Sequence, residues 1–141
     1  MRLLRRVGKR GAALLCLACI ELIYGSALLD PLAPEAASPG YRWLASVLPL
    51  QVWGGIWLFV GVLCLIGSVV HEDSVAWVAA MSIKVMWGLL WLLGWWLVDV
   101  PRGWRSAAVW LPMAAVVALL ASWAEPGSRR RPMWTGRPRQ H

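Results

Sequence analysis

The chain is short of charge, of lysine and of every aromatic residue except one. Only 15% of its 141 residues are charged, against about 25% in soluble domains. The charges are clustered rather than spread, and the seven acidic residues form no catalytic constellation. Histidine occurs twice, and His71 stands alone beside Glu72 and Asp73 in a short turn, too few ligands for a metal without outside help. The three cysteines, Cys16, Cys19 and Cys64, all lie inside apolar runs. Cys16-x-x-Cys19 has redox or metal spacing, but no histidine or second cysteine pair accompanies it, and cysteine on an apolar helix is a small packing residue. No glycine-rich phosphate loop is present, since Gly54-Gly55, Gly61 and Gly67 fall within one apolar run. Alternation at period two is missing, which excludes a β-barrel. These gaps read together as a non-enzymatic chain with no cofactor and no metal.

What is abundant is apolar surface. Hydrophobic residues make up 60% of the sequence and gather into four runs. They span about residues 11–29, 51–70, 75–98 and 104–124, each close to the ~20 residues that cross ~30 Å of hydrocarbon. The expected fold is an all-α membrane protein with a four-helix transmembrane domain over 11–124, a basic flank at 1–10 and a basic, poorly ordered tail at 125–141. Pro112 should kink the fourth span or shift its start. A cleaved signal peptide is the other reading of the first span, with a cleavage site near residues 33–37.

The formal charge of +7 sits in two places. Ten of the fourteen Lys and Arg residues lie in residues 2–10 and 129–139, next to spans, with no folded basic module. Such flanks set topology and touch anionic lipid headgroups rather than nucleic acid. Placing both termini in the cytoplasm puts those ten inside, so the expectation is a multi-pass protein of the cytoplasmic membrane. The acidic 71–74 turn opposes this orientation but is short.

The 30–50 connection is the one long external segment. Ser38-Pro39 reads as an N-cap followed by proline at the first helical position. Tyr41, Leu44, Ala45 and Leu48 recur at helical spacing. A short interfacial helix over 39–48 is predicted, with Tyr41, Arg42 and Trp43 among headgroups; an irregular loop is the alternative.

Glu21 and Lys84 each interrupt a span. A charge at mid-bilayer costs about 2.5–3.5 kcal/mol on insertion scales, so it needs a partner, water or a substrate. Spans one and three run in the same direction, and both residues lie about 14–15 Å along them. Ala18 and Gly25 share a face with Glu21, and Ala76 and Ala80 share one with Lys84, so the backbones can approach. An intramembrane ion pair is predicted, with Tyr24 able to offer a hydroxyl. The pair reads either as a structural lock or as a proton or substrate site; a third reading is that the two residues do not meet.

Twelve tryptophans remain to be placed. Trp43, Trp53 and Trp104 fall near one interface and Trp77 and Trp123 near the other. Trp87, Trp91 and Trp95 form a stripe on the Lys84 side of span three. Trp87 could make a cation–π contact, and Trp87 and Trp91 could line a site or simply pack. Ala114, Ala118 and Ser122 form a small-residue packing face on span four.

Two segments carry a resemblance: Glu21-Leu22-Ile23-Tyr24-Gly25 closing at Leu29-Asp30-Pro31, and Leu48-Pro49-Leu50-Gln51-Val52-Trp53-Gly54-Gly55-Ile56-Trp57 followed by Gly61. Together they resemble small four-span membrane proteins of actinobacteria and their phages, whose function is generally unassigned. The resemblance covers about the first half of the chain. It implies a phage or prophage origin and carries over no catalytic residue. Ala18-Cys19-Ile20-Glu21-Leu22-Ile23 is also similar to the first span of small multidrug-resistance transporters. There, however, the glutamate works as a free proton site, which Lys84 would neutralise, and spans two to four do not match. The sequence thus favours a protein acting by helix packing with itself, as a homo-oligomer, or with a membrane partner. A holin-like permeabilising protein and a small proton-coupled transporter using Glu21 are the alternatives.

Overall fold

The computed structural model describes residues 8–30, 37–70 and 73–122. The 1–7 part of the basic flank, the tail from 125, Trp123, His71 and Glu72 lie outside them. Five helices follow in order: α1 Lys9–Leu29, α2 Pro39–Val47, α3 Leu50–Gly67, α4 Ser74–Val98 and α5 Gly103–Ser122. There is no strand among the described residues. All but α2 are long and apolar enough to cross a membrane. Their outer faces carry Ile23, Phe59, Trp96 and Leu119, all more than half exposed, a surface suited to lipid.

Local chemistry sets the ends. The Ser38 hydroxyl accepts the Tyr41 N–H at 3.4 Å and Pro39 opens α2. Pro49 then starts α3, its carbonyl taking the Val52 and Trp53 N–H groups at 2.9 and 3.2 Å. α3 stops at Gly67, three residues short of the expected end, where Ser68 turns its hydroxyl onto the Leu65 carbonyl. α4 closes on Asp99 in the left-handed region, and the Val100 N–H reaches back to the Gly94 carbonyl. Arg102 is left-handed too, with φ of 62°. That turn is tight because Gly103 begins α5 directly against α4: a Cβ there would lie 2.8 Å from the Trp91 carbonyl oxygen. α5 runs through Pro112, which faces outward.

Consecutive spans pack antiparallel. On α1 and α3, Gly25 meets Gly54 near one end, Glu21 and Leu22 meet Gly61, and Leu14 approaches Gly67. Gly25 and Gly54 are needed as glycines, since a Cβ on either would lie about 3 Å from the other's carbonyl oxygen. α4 packs on α5 as closely, through Gly88 on Leu111 and Gly103 on Trp95. α3 joins the two pairs by lying against α4. α1 and α4 therefore run parallel.

Candidate functional site

The parallel course of α1 and α4 brings three pairs of side chains together, one above another. At the lowest level Arg10 forks onto Asp73, with Nη2 to Oδ1 at 2.9 Å and Nε to Oδ2 at 3.1 Å. The Trp77 indole N–H also donates to Asp73 Oδ2, and the Arg10 guanidinium lies 5.7 Å from the Trp77 ring centre. Asp73 was visible only as part of an acidic turn, and Arg10 only as part of a basic flank. Their pairing depends on the folded hairpin and no local spacing reveals it.

At the middle level Lys84 donates to Glu21 Oε1, and both side chains are 0% exposed. Lys84 also donates to the Ala80 carbonyl at 3.3 Å. Helical side chains lean toward the N-terminus of their own helix, so Lys84 points to the turn of Ala80 and away from Trp87. The cation–π contact consequently falls on Trp57 of α3, 5.8 Å from the ammonium, instead of on Trp87. Glu21 Oε2 and Trp57 Nε1 are buried without a hydrogen-bond partner.

The next level is aromatic. Tyr24, Trp57, Trp87 and Trp110 come from the four long helices and pack tilted or edge to face, with ring centres 4.6–5.9 Å apart. The Trp87 N–H donates to the Tyr24 hydroxyl at 3.1 Å, and that hydroxyl also bonds Tyr41 of α2 at 3.1 Å. Trp57 and Trp110 were not singled out by the sequence. The signal was available for Trp57, which shares a helical face with Gly54 and Gly61.

α2 closes this end. Gly40 lies flat on the Trp91 ring, where a Cβ would approach to 2.2 Å. The Trp43 N–H donates to the Leu90 carbonyl at 3.3 Å, and the Trp53 N–H to the Leu44 carbonyl at 3.3 Å. Tyr41 and Trp43, expected among headgroups, are thus turned onto the bundle, while Arg42 stays exposed. The helical spacing was legible, but which face docks depends on Trp53, Trp91 and Gly94 beneath it.

The remaining expected positions divide. Ala18, Gly25, Ala76, Ala80 and Ala114 are buried at helix contacts, as are Trp87 and Trp91. Ala118 and Ser122 are exposed, so they do not extend the packing face within one chain: α5 buries Gly103, Ala107, Ala114 and Val117 instead. Trp95 is exposed and leaves the stripe. Among the described residues no three His, Cys, Asp or Glu side chains group to hold a metal. Surface grooves lie along the outer face of α4, one lined by Met81, Val85, Met86, Leu89 and Leu93, and do not include Glu21 or Lys84.

The four membrane-length helices and the charges buried between them define a small multi-pass integral membrane protein. No family model, curated protein or solved structure matches the chain.

Proposed function

We propose that this is a non-enzymatic protein of the cytoplasmic membrane that acts by helix packing with itself or with a membrane partner. The observation that carries this reading is the complete burial of Glu21 and Lys84 against one another. A carboxylate engaged by a buried ammonium and walled by tryptophan is a lock between helices. It is a poor proton-linked transport site, which needs access and a free charge. The small exposed residues Ala118 and Ser122 on α5 are available to a neighbour in the bilayer.

Both termini face the cytoplasm in this reading. The Arg10–Asp73 pair supports it, because the acid in the α3–α4 turn is neutralised by the basic flank instead of opposing it. A phage association rests on the resemblance of the segments around Glu21 and Gln51. A holin-like role would be the lateral form of the same packing, ending in a membrane lesion.

The test is induction in a bacterium with membrane potential and viability followed over time, beside cysteine cross-linking from Ala118→Cys and Ser122→Cys in native membranes. Cross-linked species with healthy growth support packing without lysis. Abrupt depolarisation supports the holin-like form. Proton release on adding a hydrophobic cation, lost in Glu21→Gln, would overturn the reading in favour of transport.

A further inference from the structure

The three cross-pairs share one register. Arg10 with Asp73, Glu21 with Lys84 and Tyr24 with Trp87 are each 63 positions apart. That offset maps five of the six buried positions of α1, Leu14, Leu17, Glu21, Gly25 and Leu28, onto Trp77, Ala80, Lys84, Gly88 and Trp91, all buried in α4; the sixth, Ala18, falls on half-buried Met81. A second register relates α3 to α5, placing buried Gly54, Gly61 and Cys64 on buried Ala107, Ala114 and Val117 and buried Trp57 on half-buried Trp110. It carries Gly54-Gly55-Ile56-Trp57-Leu58 onto Ala107-Ala108-Val109-Trp110-Leu111, Gly61 onto Ala114 and Cys64 onto Val117. In both segments the first small residue is buried and the second exposed.

Several contacts obey the same mapping, although the Tyr24–Trp57 contact at 4.6 Å has no exchanged partner among the ring contacts of the described residues. Gly25 is pressed on Leu58, a Cβ there falling 3.0 Å from Leu58 Cγ; its counterpart Gly88 is pressed on Leu111, at 2.8 Å from Leu111 Cγ. Tyr24 meets Trp110 at 5.2 Å between ring centres, and the exchanged pair, Trp87 with Trp57, meets at 5.6 Å. Trp57 and Trp110 are counterparts and touch each other. When counterparts on parallel helices meet one another, they meet on a two-fold axis that runs along the helices. The departures have visible causes. α2 sits in one connection only, and α3 lies closer to α4 than α5 does to α1, because a short turn ties the first two.

The charges that face one another across α1 and α4 are inverted, whereas Asp30 and Arg105 correspond to the uncharged Leu93 and Val52, and Ile20 is exposed where Ile83 is buried. Arg10 faces its counterpart Asp73, and Glu21 faces Lys84. In the sequence Lys9 likewise corresponds to Glu72. We infer that the chain is two equivalent helix hairpins in tandem, α1–α3 and α4–α5, and that Glu21/Lys84 and Arg10/Asp73 are specificity determinants on their shared axis. A hairpin that pairs with a copy of itself brings Glu21 to Glu21, or Lys84 to Lys84, at bilayer depth. Pairing with the other half brings opposite charges together. Like-charge apposition rejects the wrong partner as the ion pair holds the right one. This goes beyond the packing role proposed above, since it concerns which halves pair and not what the finished bundle contacts.

Exchange of the charges tests it in the full chain. If the halves are equivalent, Glu21→Lys with Lys84→Glu places each group in its counterpart's surroundings. The new ammonium then has the Leu17 carbonyl and the Trp110 ring where Lys84 has Ala80 and Trp57. Expression with a C-terminal fluorescent reporter and size exclusion in mild detergent reads the folded fraction. Either single reversal should lower monodisperse protein about ten-fold or more, and the double exchange should return it to within about two-fold of the starting chain. The parallel exchange, Arg10→Asp with Asp73→Arg, should be tolerated likewise. A double exchange no better than the single reversals overturns the inference, because a pair fitted only to its own surroundings cannot be turned round. Single reversals without effect overturn it as well.

Discussion

Arg10 holds Asp73 through two hydrogen bonds, 2.9 and 3.1 Å long, and thereby staples the start of α1 to the turn before α4. The side chains keep 26% and 17% exposure, so solvent screens the pair. Asp73→Asn should lower stability by about 1 kcal/mol or less. Thermal unfolding in detergent should show the starting chain losing stability as salt is raised and the variant showing little salt dependence. Equal salt dependence in both would place the stabilisation elsewhere.

The Gly54 contact predicts a contrast between neighbours. A Cβ on Gly54 would sit 2.9 Å from the Gly25 carbonyl oxygen, whereas one on Gly55 meets nothing within 4 Å. Gly54→Val should cost about 1–3 kcal/mol by forcing α1 from α3. Gly55→Val should stay within about 0.5 kcal/mol. Melting curves of the two proteins measure the difference, and similar values would deny a close α1–α3 approach.

The Tyr24 hydroxyl is the shared hydrogen-bond partner of Trp87 and Tyr41 at this end of the bundle. Tyr24→Phe leaves the buried Trp87 N–H without its acceptor and also removes the bond to Tyr41. The expected loss is about 1–2 kcal/mol. Tyr41→Phe spares the Trp87–Tyr24 bond and should cost less. Reversal of that order in thermal or denaturant unfolding would mean that α2, and not Trp87, is the main partner of the hydroxyl.

Thiol chemistry offers a direct check on burial. Cys16 and Cys19 are exposed and Cys64 is wholly buried under Ala76. A maleimide should modify two thiols per chain in mild detergent and three after denaturation in dodecyl sulfate, counted by intact mass. Three fast-reacting thiols in the folded protein would place Cys64 outside the core.

The helices were readable because length and hydropathy determine them: α1, α3 and α4 begin and end within three residues of the expected spans, and α5 begins one residue before its own. The apposition of Glu21 and Lys84 was readable too, since depth follows from rise per residue and direction from the number of crossings. What escaped depended on neighbours far along the chain. Nothing near Trp57 shows that it lies over Lys84, and nothing near Tyr41 shows that it bonds Tyr24. Ala118 and Ser122 have the spacing of a packing face, but whether a face is covered depends on how many helices the chain supplies. The relation between the halves was hidden because few residues repeat between α1 and α4 in that register and their facing charges are of opposite sign.

The separation of Glu21 from Lys84 bears on biogenesis. They lie sixty-three positions apart, so α1 is synthesised before its counter-charge exists. Until α4 arrives, the nascent protein carries an unneutralised carboxylate in its first span. Arrival of α4 ends that exposure in one step. A ribosome that stalls before codon 84 therefore leaves a product marked as incomplete by its own chemistry, open to retention by an insertase or removal by a membrane protease.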